Sequence, residues 1–180
     1  MTNIDDKIKT LLLKGKKEKA FNLILSQYKE KLYWQIRRII ISHHDTDDVL
    51  QNTFIKIWNN IDNFRGDSKL FTWLYRIATN ESLAFLDLKK RKSFFTGSNN
   101  DIKLANYLES DVYFDGNEIQ KKLQKALLQL PEKQRLVFNM KYFDDLKFSE
   151  ISEILGTSTG ALKASYHIAI KKIKEFLNNN

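Results

Sequence analysis

Residues 62–80 read DNFRGDSKLFTWLYRIATN, and this stretch decides how the chain is interpreted. A glycine-containing turn leads into a helical pattern that is crowded with aromatic side chains and carries one arginine. Asp67 or Ser68 can cap this helix, which we expect to run to about Arg91. The composition suits a protein that holds unpaired nucleic-acid bases, because every base has a face on which an aromatic ring can stack.

Helical patterns also precede this stretch. Apolar residues between Phe21 and Ile40 recur at helical spacing and predict one long helix. The pattern breaks at residues 43–46, where Thr46 can cap a second helix with aspartates in its first turn. The predicted buried face of the second helix consists of Val49, Leu50, Phe54, Ile57 and Trp58.

Helical spacing returns at Glu118 and continues almost to the end of the chain. Pro131 fits the first turn of a helix, where its missing N–H does no harm. A short helix, a turn at Gly156 and a longer helix that begins at Ser158 then form a helix-turn-helix pattern. The residues of the longer helix that we expect to face inward are Leu162, Tyr166, Ala169, Ile173 and Leu177.

The predicted fold is all-α, because the sequence contains no strand patterns joined by hairpin turns. An N-terminal helical bundle (residues 1–92) is joined by a linker (93–117) to a C-terminal helix-turn-helix domain (118–180). The linker has no clean period and contains glycine, serine and asparagine, which are typical of loops.

Composition argues against several classes of protein. The 180 residues include no cysteine, which excludes disulfides and cysteine-based metal sites. No apolar run is long enough for a membrane span, and the N-terminus lacks the pattern of a secretory signal, so we expect a cytoplasmic protein without membrane insertion. No phosphate loop, nucleophile motif or metal signature occurs. We therefore expect no catalytic residues, no metal and no cofactor.

The formal net charge of +8 is unevenly distributed along the chain. Lysine and arginine exceed the acidic residues in residues 1–92 and 118–180, whereas the linker between them is acidic. Two basic domains favour a polyanionic partner such as nucleic acid. Charge alone leaves a solvated basic surface as an equally good explanation.

Two separate segments resemble one protein family. Residues 130–138, LPEKQRLVF, and the segment 150–156 resemble region 4 of the extracytoplasmic-function group of sigma-70-family sigma factors. Residues 48–54, DVLQNTF, and 63–80 resemble the polymerase-binding and promoter-opening segments of region 2 in the same group. The resemblance covers nearly the whole chain in the family's order.

The resemblance implies a transcription initiation factor that binds core RNA polymerase and a bipartite promoter. Promoter DNA would be bound both as duplex, at the −35 element, and as melted single strand, at the −10 element. Many relatives are inhibited by an anti-sigma protein, which makes such a protein a further candidate partner. The residues that match the family's polymerase-binding positions are Asp48 and Gln51, and Asn52, which stands where Glu or Asp is common in the family, is a third candidate.

The candidate −10 surface combines aromatic rings, which stack on bases, with polar groups that can reach base edges or phosphates. Trp73 is as well explained by a place in the core, and the cations at residues 89–92 also suit the end of a helix. The candidate residues are Phe64, Arg65, Asp67, Ser68, Trp73, Tyr75, Arg76, Asn80, Lys90 and Arg91.

The candidate −35 surface is the outer face of the last helix, near its start, where side chains can reach base edges in the major groove. It consists of Ser158, Thr159, Lys163, Ala164, Ser165, His167 and Lys171. Ser165, Ile168 and Ile170 stand where many family members carry arginine, which suggests a different −35 preference.

The alternative function is a stand-alone helix-turn-helix regulator that binds duplex DNA through residues 118–180. In that case the N-terminal bundle would act as a sensor or dimerisation domain. Residues 63–80 distinguish the two functions, because a regulator of duplex DNA needs no helix that captures bases.

Overall fold

The computed structural model describes residues 4–64, 66–96 and 118–179. Within those ranges the regular elements are helical and no strand occurs, which confirms the predicted all-α fold. The helices are α1 (Ile4–Leu13), α2 (Lys17–Ile40), α3 (His43–Asn60), α4 (Leu70–Thr96), α5 (Glu118–Leu128), α6 (Glu132–Tyr142), α7 (Phe148–Leu155) and α8 (Thr159–Asn179), with a 3₁₀ turn at Ile61–Asn63.

The chain divides into two compact units, Met1–Phe85 and Leu86–Asn180. The division falls inside α4, before the predicted end of the first domain at residue 92. The first residues of the predicted linker (93–117) belong to α4, and residues 97–117 lie outside the described part of the chain. The domain boundaries given by the sequence therefore remain predictions.

The first unit is organised around α2, whose apolar side chains recur every three or four residues and pack against both α1 and α3. Ile24, Leu32 and Ile36 of this stripe have no exposed surface. The Tyr28 hydroxyl donates a hydrogen bond to the Asp5 carboxylate at 2.5 Å and so ties α1 to α2.

The cap of α3 differs from the prediction. The Ser42 side chain accepts a hydrogen bond from the Asp45 backbone N–H at 3.4 Å, and the helix begins at His43. Thr46 is buried inside the helix, where its hydroxyl donates to the Ser42 carbonyl at 2.7 Å. The predicted Thr46 cap is therefore wrong, since the chain enters the helix one turn earlier.

Buried contacts fix the rotation of α4. Leu70, Leu74 and Ala78 recur every four residues and are completely buried. The Gln35 side-chain amide donates to the Tyr75 carbonyl at 3.2 Å and to the Thr79 hydroxyl at 2.7 Å. Residues three and four apart share a helix face. The side chains of residues 73, 77 and 80 therefore lie on a different face of α4 from these buried residues.

The second unit has its own apolar core, built by α5, α6 and α8. Its buried members are Ala126, Leu127, Leu130, Phe138, Ala169 and Ile173. Phe176 packs against this cluster, whereas Leu177 is 36% exposed, so the inward orientation predicted for Leu177 is wrong. Adjacent helical residues point about 100° apart, and only one of the two can face the core.

The predicted helix-turn-helix consists of α7 and α8. Gly156 adopts φ +63°, a left-handed conformation that glycine reaches without strain, and its N–H donates to the Ser152 carbonyl. The Ser158 hydroxyl oxygen accepts from the Ala161 N–H at 3.4 Å, as expected for the cap of α8. At the start of α7 the Glu150 carboxylate accepts from the Lys147 N–H at 2.9 Å.

Candidate nucleic-acid interface

A groove of about 280 Å³ opens between the end of α3 and the first half of α4. Its lining mixes an aromatic ring, an aliphatic side chain, amides and one lysine–glutamate pair, in which the Lys56 ammonium contacts the Glu81 carboxylate. This combination can stack on a flat ring and bond to its polar edge. The lining residues are Lys56, Asn60, Asn63, Trp73, Ile77, Asn80 and Glu81.

Asn80 is one of three exposed amides that line this groove, with Asn60 and Asn63. Among the described residues its side chain has no hydrogen-bond partner, so both its donor and its acceptor are available. The Asn60 amide, in contrast, already donates to the Lys56 carbonyl at 2.8 Å. Asn80, like Asn63, is therefore a lining amide that remains available to a base edge, and Asn80 is the one that lies on α4 with Trp73.

Trp73 packs against a neighbouring ring and also lines the groove. Its ring lies 5.3 Å from that of Phe64, at an interplanar angle of 48°, and both residues are half-buried. The tryptophan also lines the groove. One part of the Trp73 ring therefore packs against Phe64, and another part is accessible from the groove.

The residue that flanks the start of α4 differs from the predicted cap. The Trp73 N–H donates to the Lys69 carbonyl at 3.1 Å, which makes Lys69 the residue that flanks the helix start. Asp67 is exposed and Ser68 is half-buried, and the cap predicted at either of them is one or two residues too early. Arg65 lies outside the described residues.

Tyr75 does not belong to the accessible surface. It is only 3% exposed, and its ring packs against Phe71 at a centroid distance of 4.0 Å. A buried ring has no free face for a base, so we remove Tyr75 from the candidate −10 residues. Arg76 is half-buried, and its Nε is buried without a hydrogen-bond partner among the described residues.

The remaining −10 candidates, Lys90 and Arg91, fall in the second unit. Both are exposed, and the Lys90 ammonium contacts the Glu132 carboxylate. A phosphate would have to compete with Glu132 for Lys90, so Arg91 is the better phosphate candidate of the two.

The exposed face of α3 carries the three candidate polymerase contacts, Asp48, Gln51 and Asn52. The same face continues into two large apolar residues that the sequence analysis did not assign to it. Ile55 is 52% exposed and Trp58 is 38% exposed, although Trp58 was predicted to be buried. Their spacing was the available signal, because Ile55 lies four residues after Gln51 and Trp58 lies three residues after Ile55.

Side chains near the end of α2 interact with one another and with the start of α3. Arg37 is 1% exposed, and burial lowers its pKa, whereas its electrostatic interaction with Tyr33 acts in the opposite direction. The Tyr33 hydroxyl also shares a hydrogen bond with His43 Nδ1 at 2.8 Å. An arginine remains charged despite such a shift, so the last turn of α2 carries a buried positive charge.

The outer face of α8 is accessible along its first three turns. Thr159, Lys163, Ala164, His167 and Lys171 are exposed, as is Ser158 before the helix, whereas Ser165 is half-buried. Ile168 is 43% exposed and was not among the candidates. The face is mostly small and uncharged, which leaves Lys163 as its cation nearest to the helix start.

Neither a membrane-spanning helix nor a metal site appears in the parts of the chain that the structure describes. None of these helices is long and apolar enough to cross a bilayer. Three or more histidine, cysteine or acidic side chains do not come together there in a way that could hold a metal ion.

Comparisons with known proteins identify the family. Residues 24–92 match the description "Sigma-70 region 2", and residues 120–173 match "Sigma-70, region 4". The ECF RNA polymerase sigma factor SigW of Bacillus subtilis is 32% identical over 89% of this chain and 90% of its own length. The chain belongs to the ECF sigma factors. The ECF RNA polymerase sigma-E factor of Haemophilus influenzae is 31% identical and covers 90% of this sigma factor.

Solved structures agree on the fold of this sigma factor. CnrH, in complex with the cytosolic domain of CnrY, matches with a TM-score of 0.70 over 99% of both chains at 21% identity. RpoE of Bartonella quintana, in complex with the anti-sigma factor NepR, matches with a TM-score of 0.69 over 89% of this chain at 20% identity. The groove, α3 and most of α4 lie in region 2, and α8 belongs to region 4.

Proposed function

We propose that this ECF sigma factor initiates transcription with core RNA polymerase by holding one unpaired base of the melted −10 strand in the groove between α3 and α4. The observation that carries the proposal is the exposed Asn80 amide, which lines the groove beside Trp73 without a partner among the described residues. Stacking on an aromatic ring contributes about 1–3 kcal/mol per base, which is comparable to the cost of unstacking.

Region 4 supplies the duplex contact in this proposal. The exposed residues of α8 from Thr159 to Lys171 enter the major groove at the −35 element, and Lys163 contacts a phosphate or a base. The stand-alone regulator considered from sequence is not favoured, because residues 24–92 match region 2. A regulator that binds only duplex DNA would not need this region.

The exposed face of α3 binds core polymerase in the same scheme. Asp48, Gln51 and Asn52 provide polar contacts, and Ile55 and Trp58 provide an apolar area beside them. A mixed face of this kind is typical of a protein interface, which has an apolar centre and a polar rim. Because core polymerase and promoter DNA are its partners, we infer that the protein works in the cytoplasm.

An anti-sigma protein is a further candidate partner. RpoE of Bartonella quintana was solved with the anti-sigma factor NepR, and its fold is similar to that of this chain. We extend that kind of partner to this protein as a hypothesis. Co-purification from its native cells would reveal such an inhibitor as a stoichiometric companion.

Asn80→Ala tests the proposed capture of a base. The full-length variant is assembled with core polymerase, and strand opening is measured on promoters selected with the wild-type protein. We expect opening to fall by about tenfold to a hundredfold, because the lost edge contact contributes on the order of 1–3 kcal/mol. Binding to core polymerase should not change.

Asn22→Ala is the matched control, since Asn22 is an exposed asparagine on α2 that does not line the groove. Its holoenzyme should open promoters like the wild type. Normal opening by Asn80→Ala would show that Asn80 does not read a base, and an unfolded Asn80→Ala variant would assign it a structural role.

A further inference from the structure

One lysine of α1 reaches the turn that precedes α4. An added Cβ at Gly66 would lie 3.9 Å from the Lys9 ammonium nitrogen and 4.0 Å from the neighbouring carbon. Gly66 has φ +82°, so the turn bends there in a way that other residues rarely adopt. α1 precedes the segment that matches region 2, which begins at residue 24. The sequence patterns of region 2 therefore gave no reason to include Lys9 in the site.

The charge of Lys9 is not neutralised within the described part of the chain. The residue is half-buried, and no carboxylate there forms an ion pair with its ammonium group. Lys17, in contrast, pairs with Asp62 at 2.5 Å and lies over the Trp58 ring at 4.7 Å. Lys17 thus fixes the start of the turn, whereas Lys9 places an available cation beside its middle.

Lys9 and the groove are each next to a different residue of the short segment between α3 and α4. Asn63 lines the groove, and Gly66 is three residues further along the chain, at most about 11 Å away when extended. Proteins that bind single strands combine aromatic stacking platforms with cations that follow the backbone. A lysine acts on phosphate as a point charge and does not need a fixed approach geometry.

We propose that Lys9 binds a backbone phosphate of the same single strand whose base occupies the groove. The inference rests on the proposed function, since it assumes that the strand enters at the groove. It extends the single-strand site to α1. A carboxylate of a partner protein is the competing occupant, and the salt dependence of DNA binding distinguishes the two.

The test uses the full-length protein in complex with core polymerase. A single-stranded sequence is first selected from a random-sequence DNA pool, with core polymerase alone as the baseline. The affinity of the selected strand is then measured against salt concentration for the wild type, Lys9→Met and Lys9→Arg. Methionine keeps an unbranched apolar stem and removes the charge.

Lys7→Met is the matched control, because Lys7 is exposed on α1 and points about 200° away from Lys9. We expect Lys9→Met to reduce the log–log salt slope by about 0.7, the value for one phosphate contact on a single strand. Lys9→Arg should restore the slope, and Lys7→Met should leave it unchanged.

Three results would overturn the inference. An equal slope for Lys9→Met and Lys7→Met would exclude a phosphate contact by Lys9. A weaker Lys9→Met complex with an unchanged slope would mean that Lys9 only positions the turn. If the wild-type complex selected no sequence beyond the core baseline, the proposed function itself would fail, and the inference with it.

Discussion

At the scale of single residues, the hydrogen bond between Tyr28 and Asp5 joins two helices and changes the pKa of the tyrosine. Tyr28 is 5% exposed, and its hydroxyl bonds to the Asp5 carboxylate. Burial raises the pKa of the Tyr28 hydroxyl above its ordinary value of 10.0, and the hydrogen bond and negative charge of Asp5 raise it further. The neutral hydroxyl is therefore favoured in the folded state.

Tyr28→Phe should destabilise the protein by about 1.5–3 kcal/mol at neutral pH, the range for a hydrogen bond to a charged group. Since the folded-state pKa is raised, this contribution is fully present below pH 10 and declines above it, when only the unfolded chain ionises. The wild type should thus lose about 1.4 kcal/mol relative to Tyr28→Phe per pH unit above 10. Denaturant unfolding of both proteins at neutral and alkaline pH measures this difference, and a constant difference would contradict it.

Some residue-scale features could not be predicted from the sequence. Ser42 and Thr46 can both cap a helix, and they lie one turn apart. The structure selects Ser42 because Ile41 adopts φ +71° and ends α2 there, which starts the next helix early. Local propensity cannot separate two such candidates, since the choice depends on how α2 and α3 pack.

At the scale of the elements, helical periodicity predicted most of the fold. The long α2, the helix-turn-helix and the inward residues Leu162, Ala169 and Ile173 follow from spacing alone. The rotation of α4 was harder, because Trp73 and Tyr75 are both aromatic and either could have faced the core. The bonds from Gln35 on α2 decide it, and such a long-range polar contact leaves no periodic signal in the sequence.

The exposed polar face of α3 predicts how a double substitution there affects binding to core polymerase. Asp48→Ala combined with Gln51→Ala should weaken binding to core polymerase by about tenfold or more, because truncation of interface hot spots costs about 1–2 kcal/mol or more. Both residues are exposed, so the fold should be retained. Competition between the variant and wild type for core polymerase measures the effect.

Asn22→Ala with Gln27→Ala is the control pair, since both residues are exposed on α2. Its affinity for core polymerase should equal that of the wild type. An equal affinity for the Asp48 and Gln51 pair, with an intact circular-dichroism spectrum, would exclude this face from the interface.

At the scale of the whole molecule, the question is whether net charge or a specific contact drives binding to duplex DNA. The chain carries a formal charge of +8, and any lysine adds to its long-range attraction for DNA. Lys163 and Lys121 are both exposed lysines of the second unit, and only Lys163 lies on the outer face of α8. Their removal changes the total charge equally.

Lys163→Ala should weaken binding to the selected −35 duplex more than Lys121→Ala does. A phosphate contact would lower the log–log salt slope by about 0.9, whereas a base contact would cost about 1–3 kcal/mol at one base position. Fluorescence anisotropy with full-length proteins across a salt series measures both quantities. Equal losses for the two variants would mean that net charge alone attracts this unit to DNA.

The positions of Trp58 and Trp73 give the protein two native optical reporters. Trp58 is partly exposed on the α3 face, and Trp73 lines the groove. Indole emission shifts to shorter wavelength when water is excluded from the ring, and it is quenched when a base stacks on it. Polymerase docking and base capture would therefore leave different spectral signatures, so that single-tryptophan variants could time the two events without an attached dye.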